Sequence, residues 1–226
     1  MRVATHNIHH GAAAGGLARS ARMASTVAGL AADVVALQEV DRHVVRSCFV
    51  DQAARAAAAS GTRAHFAPLR RLGPGGSYGN ALLVRGRTLR RHDLALPSHG
   101  EPRGAIFARV ALAAGELTVV STHLQNRRAG RPDDAPEQLR ALFDELARWP
   151  EPWCVMGDLN LRADTVPALA HDAGLEALDA GATYPAHAPR LALDWVLVRG
   201  LGIVDLHVVD VRTSDHRPVV ATLDPS

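Results

Sequence analysis

Short apolar runs separated by polar turns dominate the first sixty residues of the chain. Residues 2–8 and 33–37 are apolar or loosely alternating, which predicts two β-strands. Between them, small apolar residues recur at helical spacing over residues 17–32 and predict a helix packed close to a sheet. The packed face of this helix carries Leu17, Ala21, Ala24, Ala28 and Ala31. A second helix is predicted over residues 51–60, where Gly61 ends it.

The remaining pattern consists of short strands interrupted by two further helices. Strands are predicted over residues 79–85, 105–111, 117–122, 152–156, 191–198, 203–211 and 219–223. Helices are predicted over residues 136–148, which begin with proline, and 165–173, which Gly174 ends. Helices alternate with strands in both halves, so we expect an α/β fold of two packed sheets with helices outside. We find no linker, and residues 1–226 are therefore predicted to form a single domain.

Isolated polar residues stand where several of the predicted strands end. Asn7, Glu39 and His123 each follow or close a strand pattern, and Asp158 and Asn160 follow another. Loops at the ends of strands in a packed scaffold can converge on one place. These polar residues are therefore candidates for a shared site.

Asp158 and Asn160 form the most suggestive pair. Gly157 is expected to end the strand before them, because glycine permits backbone geometry that a side chain opposes. If the chain stays extended there, the two side chains point the same way, and a proton-accepting carboxylate lies beside an amide that orients a water. The alternative is an ordinary strand-to-loop turn, since Gly, Asp and Asn are common turn formers.

Composition excludes some functions. The 226 residues are 47% hydrophobic and 21% charged with a formal net charge of +2, which is ordinary for a globular protein. The sequence contains no lysine, which excludes a Schiff base or a P-loop lysine, whereas arginine can still bind phosphate through its planar fork. Aromatic residues make up only 4%, too few to indicate a surface that stacks single-stranded bases.

Neither cysteine content nor hydropathy indicates a special environment. Cys48 and Cys154 lack the spacing of a zinc site or a disulfide framework, so we expect both to be core or incidental residues. No apolar run approaches the roughly 20 residues of a membrane-spanning helix. The chain enters a strand pattern without a signal-peptide core, and we expect a cytoplasmic protein with no membrane span.

Six segments, taken in chain order, resemble the motifs of the endonuclease/exonuclease/phosphatase superfamily, the DNase I-like proteins. The segments are Thr5-His6-Asn7-Ile8, Leu37-Gln38-Glu39-Val40, Ser121-Thr122-His123-Leu124, Gly157-Asp158-Leu159-Asn160, Leu193-Asp194-Trp195-Val196 and Ser214-Asp215-His216-Arg217-Pro218-Val219. They extend from the first predicted strand to the last. The resemblance implies a four-layer α/β sandwich of two mixed sheets, and hydrolysis of a phosphoester by water with Mg²⁺ or Mn²⁺ as cofactor.

The resemblance also suggests a role for each polar residue at the strand ends. It implies that Glu39 binds the metal, with Asn7 and Asp215 in or near the coordination sphere. The residue chemistry agrees, because carboxylate oxygens are the hard ligands that Mg²⁺ uses while it keeps several waters. By the same resemblance, Asp158 activates the water and Asn160 orients it.

His216 is paired with Asp194 in the implied site. An imidazole held by a carboxylate has a fixed tautomer and a stabilised cation, which suits proton transfer or contact with the transition state. We favour Asp158 as the general base and His216 as the stabiliser of the transition state, and leave the reverse assignment open. His123 resembles a second histidine that contacts phosphate or protonates the leaving group.

Two further segments resemble phosphate-binding parts of the superfamily. Residues 76–81 resemble a turn whose tyrosine hydroxyl, here Tyr78, reaches phosphate, and residues 101–104 resemble a loop that supplies an arginine, here Arg103. A guanidinium can bind phosphate through two parallel hydrogen bonds. His9 and His10 invite interpretation as metal ligands, but loop histidines are more often solvated or one step removed from a metal, and we expect that here.

The substrate is less well defined than the chemistry. The chain is compact, nearly neutral and poor in aromatics, and its basic runs at residues 85–91 and 127–131 are expected to be solvated faces. We therefore prefer a small-molecule phosphoester or a lipid-headgroup phosphodiester. The first alternative is a Mg²⁺-dependent DNA nuclease acting at abasic sites or 3′ ends. An inactive phosphate-binding module is the alternative of another class.

Overall fold

The structure is a computed structural model that describes residues 1–12, 18–127 and 132–225. Its helices are α1 (Ser20–Gly29), α2 (Gln52–Ser60), α3 (Ala135–Leu146) and α4 (Thr165–Asp172). Its strands are β1 (Arg2–Asn7), β2 (Val34–Arg42), β3 (Arg63–Arg71), β4 (Ser77–Val84), β5 (Arg87–Leu96), β6 (Arg103–Leu112), β7 (Gly115–His123), β8 (Trp153–Asp158), β9 (Glu176–Leu178), β10 (Asp194–Arg199), β11 (Leu201–Val208) and β12 (Val219–Pro225). Among the described residues, no helix is both long and apolar enough to cross a bilayer.

The strands form two mixed sheets of six. The strand order is β11-β12-β1-β2-β4-β3 in the first sheet and β5-β6-β7-β8-β10-β9 in the second. Near the centre of each sheet lies one parallel pair, β1 with β2 and β7 with β8. Helix α1 connects the first pair and α3 connects the second, as parallel strands require a crossover connection. The carboxyl ends of each parallel pair therefore lie at the same edge of their sheet.

Three apolar clusters define four layers. The two sheets pack face to face, with Val3 and Val34 of the first sheet in one cluster with Met156 and Val196 of the second. The outer face of the first sheet is covered by α1 and α2, and that of the second by α3 and α4. The predicted four-layer α/β sandwich is thus confirmed.

Capping residues mark the start of α2 and the ends of α2 and α4. The Asp51 side chain accepts a hydrogen bond from the Ala54 amide at 2.9 Å and caps the start of α2. Gly61 closes the same helix with φ of 65°, and Gly174 follows α4 with φ of 72°. Both glycines follow their helices as the sequence predicted, and both adopt the left-handed conformation that is common at this position.

The sequence analysis did not predict three strands, and each of them forms the edge of a sheet. Strands β3, β5 and β9 form three of the four outer edges, where exposed polar positions blur the alternation that identifies a strand. Most of the predicted basic run 85–91 is exposed on β5, as expected. Leu17, in the predicted first helix, and residues 128–131 of the other basic run lie outside the described residues.

Gly157 does not end its strand as predicted. It lies inside β8, and its partner across the parallel pair is Thr122 of β7. A Cβ at this position would stand 2.1 Å from the Thr122 carbonyl oxygen. Glycine is therefore required by the close approach of two backbones rather than by a turn.

Candidate active site

Period-two alternation directs four polar side chains to the inner face of the sandwich. On β8, Cys154 and Met156 belong to the core between the sheets, so Asp158, two residues further, points the same way. The same alternation from inner-face residues applies to Asn7 on β1, His123 on β7 and Asp194 on β10. Because Asp158 is paired in register with His123 on one side and Asp194 on the other, three polar side chains meet in one row.

Asp158 is the centre of the group. Its Oδ2 accepts a hydrogen bond from Asn7 Nδ2 at 3.0 Å, which joins the two sheets. The same oxygen lies 3.5 Å from His123 Nε2 and 3.7 Å from His216 Nε2. Only about 1% of the Asp158 surface is exposed, so these contacts form in a nearly dry environment.

Glu39 joins the group through an irregularity in β2. The register of β2 against β4 shifts between Leu37 and Val40, and Glu39 has φ of 59°. Strict alternation from Leu37, which packs under the helices, would direct Glu39 away from the inner face. The bulge re-aims it instead, and Glu39 Oε1 accepts a second hydrogen bond from Asn7 Nδ2 at 3.1 Å.

Asp194 and His216 form the predicted pair. His216 Nδ1 and Asp194 Oδ2 are 2.8 Å apart, and both residues are buried. Thr183 donates a further hydrogen bond from its hydroxyl to Asp194 Oδ2 at 2.6 Å. The Tyr184 ring covers the imidazole of His216, with the ring centroids 4.8 Å apart.

Asn160 departs from the predicted geometry. The chain is not extended beyond Asp158, because Asn160 has φ of 50° and its backbone N–H donates to Asp158 Oδ1 at 3.1 Å. The Asn160 amide donates to the Leu124 carbonyl at 3.2 Å. The residue thus folds back to hold the Asp158 carboxylate in place, which an Asx-type turn can do.

Arg103 reaches the group through His123. Its Nη1 donates to His123 Nδ1 at 3.1 Å, and since guanidinium is only a donor, His123 must carry its proton on Nε2, the nitrogen facing Asp158. A salt bridge of 3.4 Å to Glu101 holds the other end of the guanidinium. Arg103 is only about 5% exposed, and its Nε forms no hydrogen bond within the described chain.

Tyr78 lies in strand β4 rather than in the predicted turn. The guanidinium of Arg46 stands over its ring, 5.5 Å from the centroid. Burial raises the pKa of the Tyr78 hydroxyl, and the negative charges of Glu39 and Glu101 raise it further. The hydroxyl therefore stays protonated and can donate a hydrogen bond.

Asp215 lies at the outer side of the group. Its Oδ1 accepts from the Ser214 hydroxyl at 3.1 Å, and the same hydroxyl also bonds the Asn7 carbonyl at 2.7 Å. His9 Nδ1 is 3.7 Å from Asp215 Oδ1, and the His9 amide donates to Asn7 Oδ1 at 3.0 Å. Direct contacts, or contacts through Ser214, thus link nine of the ten predicted site residues. Tyr78 is near enough to Glu39 and Arg103 for their charges to act on the pKa of its hydroxyl.

Burial and charge set the ionisation of the central groups. Burial raises the pKa of Asp158, and the neighbouring Asp194 and Glu39 charges add to this, while His216 and Asn7 oppose it. Burial alone would lower the pKa of His216, but the carboxylates of Asp194 and Asp158 outweigh it and raise the pKa. Burial, with the Arg103 charge, holds the pKa of His123 well below its ordinary value. The two imidazoles therefore differ in charge, His216 being cationic and His123 neutral.

Two groups of side chains have the spacing of metal ligands. One atom from each of His9, His10 and Glu39 lies within 4.8 Å of the others, and the same holds for Asp158, Asp194 and His216. Asp194 already contacts His216 and Thr183, whereas Glu39 and Asp215 are half-buried carboxylates that both lie near His9. The potential ligands around Glu39 and Asp215 therefore fit a divalent cation better than the group that contains Asp194 does.

Thr183 and Tyr184 were missed by the sequence analysis. Both lie outside the described helices and named strands, in the stretch between β9 and β10, and no alternation or motif distinguishes them. Thr183 is fully buried and contacts a carboxylate eleven residues further along the chain. Only the folded path of this stretch brings the two residues to His216.

Solved structures with the same fold come from bacteria and from a vertebrate. An endonuclease/exonuclease/phosphatase of Beutenbergia cavernae is 26% identical, with a TM-score of 0.82 over 100% of this chain and 72% of its own. A mannosyl-6-phosphatase of Bacteroides thetaiotaomicron is 16% identical, with a TM-score of 0.80 over 99% of each chain. D. rerio TDP2, solved with a single-strand DNA product, is 18% identical, with a TM-score of 0.75 over 99% of this chain and 98% of its own.

Sequence comparison identifies the family. A UPF0294 protein of Yersinia pseudotuberculosis is 31% identical over 113 residues, which are 48% of this chain and 43% of that protein. The match thus spans less than half the length of that relative. The sequence profile of the Endonuclease/Exonuclease/phosphatase family matches residues 4–216, which include Asn7, Glu39, Asp158 and His216. The chain therefore belongs to the endonuclease/exonuclease/phosphatase family.

Proposed function

We propose that the protein is a divalent-metal-dependent phosphoesterase that hydrolyses a phosphodiester or phosphomonoester of a small molecule or lipid headgroup. Water attacks phosphorus, the new P–O bond forms, and the bond to the leaving oxygen breaks. The observation that carries this proposal is the buried Asp158 carboxylate, which is approached by Asn7, His123 and His216 at 3.0, 3.5 and 3.7 Å. We also propose that residues 1–226 act as one domain.

Asp158 is proposed to accept the proton of the attacking water. Its Oδ2 accepts a hydrogen bond from the Asn7 side chain and its Oδ1 accepts one from the backbone N–H of Asn160, so the carboxylate has a fixed orientation. A base positioned in this way contributes about 10²- to 10⁴-fold to a proton-transfer step. Asn160 is thus a positioning residue in this proposal.

His216 and His123 are proposed to stabilise charge on the phosphoryl oxygens. His216 stays cationic because Asp194 accepts from its Nδ1, and its Nε2 is left facing the Asp158 side of the cleft. His123 offers an N–H from Nε2 because Arg103 fixes its tautomer. Tyr78 and Arg103 complete the set of groups that can donate hydrogen bonds to phosphate.

Glu39, Asn7 and Asp215 are the residues that would hold a divalent cation. When bound, such a cation neutralises charge on the phosphoryl oxygens and assists departure of the leaving oxygen. Asn7 contacts both the proposed metal position and the proposed base, since its Nδ2 donates hydrogen bonds to Glu39 and to Asp158. Asn7 therefore couples the proposed metal ligand to the proposed base.

A cavity beside Asn160 favours a small leaving group. It has a volume of about 620 Å³ and is bordered by Asn160, Leu193, Arg162 and Arg190. Cavities of this size commonly bind small organic molecules. The walls combine apolar residues and arginines with Asp133 and Asp164, and this mixture suits a compact polar or headgroup-like substituent better than a duplex.

A DNA substrate is the second candidate. The structure of TDP2 with a single-strand DNA product and that of the mannosyl-6-phosphatase share this fold, so the fold is compatible with both substrate classes. Fold likeness does not choose between them. The choice must come from a direct comparison of substrates.

The Asp158→Asn variant tests the proposed chemistry. With Mg²⁺ or Mn²⁺ and bis-p-nitrophenyl phosphate, we expect kcat to fall at least about 100-fold, because the amide cannot accept the water proton. Asp144→Asn, the same change at an exposed position on α3, should keep full activity. Equal activity in the two variants would remove Asp158 from the proposed role. Absence of metal-dependent turnover in the unmodified protein would favour an inactive phosphate-binding module.

A substrate panel tests the proposed class. The unmodified protein is assayed with bis-p-nitrophenyl phosphate, p-nitrophenyl phosphate, glycerophosphodiesters, supercoiled plasmid and an abasic oligonucleotide. We expect turnover of the small esters and no plasmid nicking or abasic cleavage. Efficient cleavage of either DNA would instead establish the nuclease.

A further inference from the structure

His9 and His10 lie beside Glu39 in a tight turn after β1. One potential ligand atom of each of the three residues falls within 4.8 Å of the other two. The two imidazole rings are 4.4 Å apart between centroids, and both histidines have positive φ, 43° and 44°. Glu39 has positive φ as well, at 59°. Residues held in this sparsely populated conformation cluster at functional sites, since the surrounding structure must offset the strain.

The ring nitrogens support a ligand at this position. The Nδ1 atoms of His9 and His10 are buried, and neither finds a hydrogen-bond partner within the described residues. Leaving a buried polar atom unpaired destabilises the folded state, so each such atom in a folded protein requires an explanation. Solvation, which the sequence analysis expected for these histidines, does not account for atoms that are closed off from water.

The donor types favour a transition metal. Two imidazoles and one carboxylate form the set that binds zinc, iron and related first-row ions, whereas Mg²⁺ prefers oxygen ligands alone. Asp215 adds a second carboxylate near the set, with its Oδ1 3.7 Å from His9 Nδ1. An oxygen-only magnesium site would make no use of the two histidines.

We propose that His9, His10 and Glu39 bind a first-row transition-metal ion, and that the imidazoles make this centre select Zn²⁺, Co²⁺ and Mn²⁺ over Mg²⁺. This inference deepens the proposed function, since it uses the same Glu39. Its test measures metal binding in the absence of substrate. Binding without turnover would refute only the proposed hydrolysis, and turnover with no preference for transition metals would refute only this inference.

The test uses a tag-free protein of residues 1–226 that has been freed of metal with a chelator. Co²⁺ is titrated in and followed by its visible ligand-field absorption, while calorimetry gives the affinities for Co²⁺ and Mg²⁺. The variants are His9→Asn and His10→Asn. Asparagine tolerates positive φ better than most residues, which keeps the turn, but its amide is a poor ligand for these ions. Far-UV circular dichroism of the metal-free variants checks that each one folds.

We expect each variant to bind Co²⁺ at least about 10-fold more weakly, with weaker visible bands, and to bind Mg²⁺ within about 2-fold of the unmodified protein. His171→Asn, an exposed histidine on α4, should change neither affinity. Co²⁺ affinity that is unchanged in the double variant His9→Asn/His10→Asn overturns the proposal. Equal loss of Co²⁺ and Mg²⁺ affinity overturns the proposed selectivity.

Discussion

The Thr183 hydroxyl orients the proposed charge-stabilising histidine through one intermediate residue. It donates to Asp194 Oδ2 at 2.6 Å, the oxygen that also faces His216 Nδ1. Hydrogen bonds to charged groups are worth about 1.5–3 kcal/mol, so Thr183 fixes the carboxylate strongly. Because Thr183 does not touch the proposed reaction centre, its effect on catalysis must pass through Asp194.

Replacing Thr183 by valine isolates this effect. The Thr183→Val side chain has nearly the same shape but cannot donate, so we expect the Asp194 carboxylate to rotate and kcat to fall about 10-fold with little change in KM. Steady-state kinetics at several pH values measures both constants and any shift of the profile. Thr222→Val, on β12 at the far end of β1 from Asn7, should leave kcat unaltered. A rise confined to KM would show that Thr183 does not act by positioning.

The candidate site residues that the pattern of the sequence could identify are those at the ends of predicted strands. Asn7, His123 and Asp158 stand at the ends of predicted strands, and a strand pattern also fixes the face on which its last residue lies. Asp194 lay inside the predicted strand 191–198 and was identified from the resemblance, whereas in the structure β10 begins at this residue. Thr183 lies outside any such pattern, and its approach to Asp194 depends on how a long connection folds back. The contacts of Asn160 were equally hidden, because its positive φ is a consequence of the turn and not of the residue order.

The close approach of β7 and β8 makes the centre of the second sheet intolerant of any side chain at Gly157. The Cβ of Gly157→Ala would meet the Thr122 carbonyl oxygen at 2.1 Å. The backbone of the two strands cannot move apart there without a large energetic cost. We therefore expect a loss of at least about 3 kcal/mol in the free energy of unfolding, measured by urea denaturation. The matched change is Gly29→Ala in the last turn of α1, where a Cβ meets nothing within 4 Å. It should stabilise by about 0.5–1 kcal/mol. Similar losses in the two variants would contradict the packing argument.

The junction between the β5–β6 connection and α3 depends on one ionisable pair. Asp134, just before α3, accepts from the His99 backbone amide at 2.7 Å and faces His99 Nδ1 at 2.8 Å. The side-chain hydrogen bond and the charge of Asp134 raise the pKa of His99. The same bond lowers the pKa of Asp134. The Asp134 contribution is present above about pH 4 and lost as pH falls, whereas the His99 contribution is present below about pH 6.5 and lost as pH rises.

The directions of these two pKa shifts predict that the pair stabilises the protein most between about pH 4 and about pH 6.5. Relative to the unmodified protein, His99→Gln should be destabilised most near pH 5.5 and least near pH 9, as measured by urea denaturation at each pH. His171→Gln, an exposed histidine on α4, should show a difference that does not depend on pH in this way. A destabilisation of His99→Gln that grows from pH 5.5 to pH 9 would have the opposite sign and exclude the pair as its cause.

The sequence predicted those helices and strands that are buried on one face or on both faces. The parallel pairs β1–β2 and β7–β8 are buried apolar runs and were found, as were the helices that cross between them. Edge strands such as β3 and β5 each have only one buried residue and show no clear period. The bulge at Glu39 could not be predicted either, because it arises from the pairing of β2 with β4.

At the scale of the whole molecule, the proposed site lies where two similar halves meet. In each sheet a strand, a helix and a parallel strand form one unit, and the carboxyl ends of these units supply Asn7 and Glu39 from one half and His123 and Asp158 from the other. Asn7 Nδ2 joins the halves directly, because it donates to Glu39 of its own half and to Asp158 of the other. A ligand at Glu39 therefore contacts a group that is tied to both sheets, and its binding should stabilise the molecule as a whole.

Thermal unfolding with and without Mn²⁺ tests this coupling. A ligand that binds only the folded state at about 100 times its dissociation constant adds about 2.7 kcal/mol. For a chain of this size each kcal/mol raises Tm by about 2–4 °C, so we expect an increase of about 5–10 °C. Glu39→Ala removes a proposed ligand and should abolish most of this increase, whereas Glu176→Ala, an exposed glutamate on β9, should retain it. An equal increase in Glu39→Ala would mean that Mn²⁺ stabilises the protein from another location, and the metal would then have no link to the residues that join the two sheets.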